Sequence, residues 1–162
     1  MCQLVYPHNI LVNTTFHLLE NIENKVLTGD QNGIDLECIA CLTLCAASVE
    51  ALVNWMGQSV ITEWKMGASA PQKVEMLFAH AGINYDASSE PLATITWVRK
   101  FRNNIMHAKP EISDTAMRDE NGHVAIDPAW IDQATPASCR KSFDELRAFR
   151  ELLQEQLGLT PV

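Results

Sequence analysis

The sequence lacks the motifs that mark several common enzyme classes. It has no glycine-rich phosphate loop, no Gly-x-Ser-x-Gly turn and no His-Glu-x-x-His metal helix. It also has no apolar run of the roughly 20 residues that a membrane-spanning helix needs, and its first residues do not resemble a basic-then-apolar export signal. We therefore expect a cytoplasmic protein with no membrane partner.

A complete set of zinc ligands is missing as well, because Cys38-x-x-Cys41 has the spacing of one ligand pair but lacks a second pair. Cys38, Cys41 and Cys45 are spaced as neighbours on one helical face, whereas Cys139 stands alone and no His lies at ligand spacing. Three thiols so close along one helix do not form a disulfide framework, so we expect reduced cysteines that pack in the core. The sequence predicts no metal and no cofactor.

Basic residues are few. Twelve Lys and Arg against 20 Asp and Glu give a net charge of −8, which disfavours non-specific coating of nucleic acid because such binding needs many phosphate contacts. Residues 91–110 are the exception, since they contain four basic residues and no Asp or Glu. A local basic cluster of this kind can still attract a phosphate.

What the chain does contain is a series of helical patterns. Apolar residues recur at every third or fourth position over about 9–28, 34–57, 91–108 and 136–157. We predict one all-α domain over residues 1–162, an up-and-down bundle of these four principal helices with additional short helices at 59–66 and 70–81. Turn residues at 119–122 further predict a small β-hairpin near 116–126.

The third principal helix ends in the stretch with the most chemically capable side chains. Pro110 disfavours a helical Lys109, so the helix should end between Met106 and Lys109 and leave His107 at or just past its end. Arg102 lies five positions before His107, and on a straight helix the two would diverge by about 140° and about 7.5 Å. They can meet if the last turn unwinds, or if two chains pair and each supplies its helix end to a shared cleft.

Two neighbours can position these groups. Asn103 lies four residues before His107, so its amide can orient the imidazole. Glu50 lies at the rim of the second helix, where it would pair with Arg102 or Arg99 if the two long helices pack side by side. The alternative is an exposed surface carboxylate.

The run Arg102-Asn103-x-x-x-His107 resembles the Arg-polar-x-x-x-His signature of HEPN domains, which are small helical bundles common in prokaryotic defence and toxin–antitoxin systems. Its place near the end of the third long helix also fits that family, and the resemblance covers most of the chain. It implies metal-independent RNA cleavage, in which the ribose 2′-hydroxyl attacks the adjacent phosphate and leaves a 2′,3′-cyclic phosphate and a free 5′-hydroxyl.

The resemblance implies a role for each residue. His107 would exchange protons, Arg102 would hold the phosphate and Asn103 would orient His107 or the substrate, while Arg99 and Lys109 attract RNA. One chain offers a single His at this site, and the family implies a homodimer in which two motifs face each other across a two-fold axis.

The alternative is a non-catalytic HEPN-like module that acts through a protein or nucleotide partner. In that case Arg102 forms a structural ion pair with Glu50, and His107 only caps the helix end. An antitoxin or a nucleotidyltransferase accompanies some HEPN proteins. The resemblance therefore implies either of them as a candidate partner of this chain.

Overall fold

The computed structural model describes residues 6–107, 117–118, 124–125 and 131–160. These residues form five α-helices: α1 (Pro7–Thr28), α2 (Ile34–Val60), α3 (Ala70–Ala81), α4 (Leu92–Met106) and α5 (Pro136–Leu157), with a short 3-10 helix at Ile131–Gln133. The predicted all-α class is confirmed, and so are the bounds predicted for α3 and α5.

Two short strands accompany the helices. Met117–Arg118 (β1) and Val124–Ala125 (β2) pair antiparallel, with Met117 opposite Ala125 and Arg118 opposite Val124. The turn that would join them and the flanks of the hairpin predicted at 116–126 lie outside the described residues.

Helix α2 lies at the centre of the fold and contacts each of the other four α-helices. Its apolar residues cover several faces, so side chains such as Leu42, Leu52 and Met56 are fully buried. By length and composition alone, with a mean hydropathy of 1.9, α2 would also be able to cross a membrane. The central helix of a bundle meets the same two criteria because it is apolar on every packed side.

Helix α1 begins two residues earlier than its apolar pattern predicts, at Pro7 instead of Asn9. His8 is the reason, since it is only 2% exposed and its ring stacks on Trp55 of α2 at a centroid distance of 4.5 Å. Burial lowers the pKa of His8 below 6.5, and the nearby Arg150 guanidinium lowers it further. The imidazole thus serves as an aromatic core residue in the first turn.

The predicted short helix at 59–66 is wrong. Helix α2 continues past Gly57 to Val60, and turns follow it before α3 begins. Gly57 is buried against the Trp64 ring, which occupies the space that a β-carbon at this position would need. Gly57 therefore permits a close contact inside the helix and does not end it.

Candidate functional site

Three of the predicted site residues line one cleft between α2, α3 and α4. Glu50 reaches it from α2, and Arg99 and Arg102 reach it from adjacent turns of α4. The cleft has an internal volume of about 80 Å³ and opens to solvent. Its walls are mostly small and apolar: Ala46, Val49, Val53, Ala70, Pro71, Val74, Ala87, Leu92 and Ile95.

The ion pair between Arg102 and Glu50 is formed. The Arg102 Nη2 donates to Glu50 Oε2 at 2.9 Å, and the two side chains are 27% and 48% exposed. Glu50 is therefore not an isolated surface carboxylate. Arg102 Nε is buried and has no hydrogen-bond partner within the described part of the chain, so the guanidinium retains unused donors.

His107 lies at the end of α4, as its position before Pro110 predicts. It is the C-cap residue, its side chain is exposed, and its backbone N–H donates to the Asn103 carbonyl at 3.0 Å. Asn103 is exposed too. Neither residue lines the cleft that holds Arg102. Within one chain, the predicted site is thus divided between the cleft and the helix end.

Lys109, the remaining predicted site residue, lies outside the described residues. The same is true of the segment that follows the helix end, apart from β1 and β2. What the structure describes of the site is therefore the cleft group of Glu50, Arg99 and Arg102 and the helix-end group of Asn103 and His107.

The start of α4 is held by Glu90. Its carboxylate accepts hydrogen bonds from the Thr94 backbone N–H (3.1 Å) and hydroxyl (2.9 Å), and it pairs with Lys141 of α5 at 2.9 Å. Partial desolvation raises the pKa of Glu90, but the Lys141 and Thr94 contacts outweigh this effect and keep the pKa below its usual value. These contacts fix the orientation of α4, and with it the direction in which Arg99 and Arg102 point.

Sequence reasoning missed Lys73, which lines the cleft from α3 and is only 6% exposed. Like Arg99, it forms no ion pair with any other described residue. The signal was present, since Lys73 precedes Leu77 by four residues and therefore falls on the apolar face of α3.

The four cysteines among the described residues lie in the core, as expected. Cys38, Cys41, Cys45 and Cys139 are free thiols with at most 1% exposure. The Cys139 thiol donates to the Cys38 carbonyl at 3.5 Å, which fastens α5 to α2. In the part of the chain that the structure describes, no group of three or more His, Cys, Asp or Glu side chains is arranged to hold a metal ion.

No family model, curated protein or solved structure matches this chain. The proposal for its function therefore depends on the motif from Arg102 to His107 and on the geometry of the cleft group and the helix-end group.

Proposed function

We propose that this protein is a metal-independent endoribonuclease of HEPN type that acts as a homodimer. The observation that favours this function is the end of α4, which offers a guanidinium with unused donors and, five residues later, an imidazole in open solvent. Arg102 can bind the phosphate and the negative charge of the transition state, and His107 can exchange a proton with the ribose hydroxyl or the leaving oxygen.

The division of the site within one chain is the reason for the dimer. Arg102 faces the cleft and His107 lies outside it, so one substrate is reached more simply by Arg102 of one protomer and His107 of its partner. A two-fold axis near the end of α4 would place two copies of each side chain together. It would also supply two histidines, one for each of the two proton transfers.

Glu50 would then act as a positioning residue. Its carboxylate holds one end of the Arg102 guanidinium and leaves the other donors for a phosphate. Arg99 lies one turn before Arg102 and Lys109 follows His107, so both would strengthen RNA binding through charge.

RNA cleavage in excess EDTA tests the proposal. Wild-type protein should produce fragments with 2′,3′-cyclic phosphate ends, and His107→Ala and Arg102→Ala should each lower the rate by about 100-fold or more, as the loss of a general acid–base or oxyanion-stabilising group does. His80→Ala and Arg147→Ala, which alter exposed residues on α3 and α5, are matched controls and should keep full activity. Equal rates in all four variants would contradict the proposal.

Co-expression of the two inactive variants tests the dimer. A heterodimer of Arg102→Ala with His107→Ala contains one pairing of an intact Arg102 with an intact His107 across the interface. Such heterodimers keep one histidine, for one of the two proton transfers, and should therefore exceed both inactive homodimers but stay below the wild type if Arg102 and His107 act from different chains. Recovery should be absent if each chain carries a complete site, and light scattering should report twice the chain mass for wild-type protein.

A non-catalytic binding module is the second candidate, and the Arg102–Glu50 ion pair favours it. A guanidinium neutralised by a carboxylate has less charge to offer a transition state. On this alternative, RNA or nucleotide binding would be lost in Arg102→Ala without any cleavage by the wild-type protein.

The proposal extends to the cellular setting and to the rest of the architecture. A toxin or defence role in the cytoplasm, with an antitoxin or a nucleotidyltransferase as partner, predicts that wild-type expression slows growth and that His107→Ala does not.

The four-helix up-and-down layout and the hairpin at 116–126 belong to the same proposal, because a hairpin there would follow the helix end closely and could cover bound RNA.

A further inference from the structure

The cleft between α2, α3 and α4 has a chemistry that RNA cleavage does not need. Its internal volume of about 80 Å³ is several times the roughly 10–15 Å³ that a single water molecule needs, so the cleft has room for part of a small ligand. The floor is formed by buried apolar residues that include Val53, Val74, Leu92 and Ile95. A hydrolytic site for a polar RNA backbone has no use for such a floor.

Lys73 points to a negative charge in this cleft. The residue is only 6% exposed, and its ammonium, which is not among the buried polar atoms, forms no ion pair with any described residue. Lys73 also lies near the amino end of α3, where the helix dipole favours anions and disfavours an ammonium. An ammonium that reaches the cleft surface without a carboxylate partner is available to an anion that enters the cleft.

The surrounding charges have the same sign. Lys73, Arg99 and Arg102 contribute three positive charges to the cleft lining, and Glu50 contributes one negative charge. The local balance is positive in a chain whose net charge is −8. Since Glu50 is committed to Arg102, Lys73 and Arg99 remain available to an incoming anion.

We infer that the cleft binds a small amphipathic anion, with one carboxylate or phosphate head between Lys73 and Arg99 and an apolar body against Val53, Val74 and Ile95. The charge complementarity selects the head, and the apolar floor selects the body. This site differs in its ligand from the proposed nuclease site, although the two share Glu50, Arg99 and Arg102. Binding does not require the chain to cleave RNA.

Isothermal titration with eight-carbon probes tests the inference on the full chain without RNA. Octanoate and octyl phosphate should bind at one site per chain, and whichever binds more tightly identifies the preferred head. Octanol, which has the same body and no charge, should bind at least about tenfold more weakly, as expected when a charge-assisted hydrogen bond is lost. Inorganic phosphate, which has no apolar body, should also bind more weakly than octyl phosphate.

Variants separate this cleft from general surface charge. Lys73→Met keeps the apolar part of the Lys73 side chain and removes its charge. Arg99→Met likewise removes the charge of the second residue that would bind the anionic head. Each should weaken octanoate binding by about tenfold or more. Lys100→Met is the matched control, because Lys100 is exposed on α4 and does not line the cleft.

A substitution that fills the cleft provides a second and independent measurement. Ala87 lines the cleft and is exposed, so Ala87→Trp should block entry without disturbing the core. The inference is overturned if octanol binds as tightly as both anions, or if Lys73→Met and Arg99→Met bind octanoate as well as Lys100→Met does. Loss of RNA cleavage in His107→Ala with unchanged octanoate binding would support two separate ligand functions. If the wild-type protein shows no nuclease activity, the titration still decides whether the cleft binds an amphipathic anion.

Discussion

Gly57→Ala is expected to destabilise the protein, although the same change normally stabilises a helix. In an unobstructed helix interior, Ala is preferred over Gly by about 1 kcal/mol. At this position, however, the added β-carbon would meet three ring carbons of Trp64, which are held by packing and are not the free end of a flexible chain. Overpacking of a core typically costs about 1–3 kcal/mol, and contact with a rigid ring favours the upper half of that range.

The balance of these two effects is a net loss of about 1–2 kcal/mol in the free energy of unfolding. For a domain of this size the corresponding decrease in Tm is about 2–8 °C. Urea denaturation followed by tryptophan fluorescence and by circular dichroism would measure the free energy, and agreement of the two probes would test two-state unfolding.

Two further variants isolate the cause. A β-carbon at Gly67 would have no other atom within 4 Å, and the φ of Gly67 is not positive, so Gly67→Ala should be neutral or stabilising by up to about 1 kcal/mol. In a Trp64→Leu background the obstruction is smaller, and Gly57→Ala should there change from destabilising to neutral or stabilising. The reasoning is refuted if Gly57→Ala alone is as stable as the wild type.

Three other predictions concern charge and capping. The folded pKa of His8 lies below its unfolded value of 6.5, so unfolding takes up a proton between these two pKa values. The free energy of unfolding should therefore decrease as pH falls from about 6.5 through the folded pKa. His8→Gln should flatten that region of the curve of stability against pH. A double-mutant cycle with Glu50→Gln and Arg102→Gln should give a coupling of only about 0.5–1 kcal/mol, since both side chains are partly exposed, and the coupling should shrink in 1 M salt. Thr135→Ala should cost about 1 kcal/mol, because the Thr135 hydroxyl accepts the Ser138 backbone N–H at the start of α5.

Each of these has a control on the same chain. His80→Gln alters an exposed imidazole, and an equal flattening of the curve in His80→Gln and His8→Gln would contradict the argument from burial. The cycle would contradict the observed ion pair if its coupling were zero at low salt. Thr14→Ala removes an exposed hydroxyl that bonds only to the Ile10 carbonyl within α1, so an equal loss of stability in Thr14→Ala and Thr135→Ala would contradict the capping argument.

The helices are predictable from the sequence because the cause is local. A repeat of three or four in apolar residues and a glycine at the end of a segment are sufficient to define most of α3 and α5. Gly82 and Gly158 follow these helices with φ values of 70° and 64°, a left-handed conformation that glycine adopts without strain.

The sequence misleads where a residue's role depends on a contact outside its own helical segment. Glycine commonly follows the last residue of a helix, but Gly57 packs against Trp64 and the helix continues past it. The apolar pattern leaves His8 in the segment before α1, whereas the Trp55 ring makes it a core residue. No local pattern contains either contact.

The candidate site likewise has features that the sequence predicts and features that depend on how the helices pack. The position of His107 at a helix terminus follows from Pro110, and the ion pair of Arg102 with Glu50 is one of two alternatives that helix faces allow. The apolar pattern of α3 places Lys73 on the buried face of that helix, but the residues it meets in the cleft are decided only when α3 packs beside α2 and α4.

The sequence by itself determined which segments are helical, where most of them end and which residues can exchange protons or bind anions. The tertiary structure alone decided that Arg102 enters a cleft, where it pairs with Glu50, and that Lys73 and Arg99 line the same apolar cleft. The physical reason is that backbone hydrogen bonding and capping act over a few residues, whereas burial and the pairing of charges depend on which helix faces are packed together.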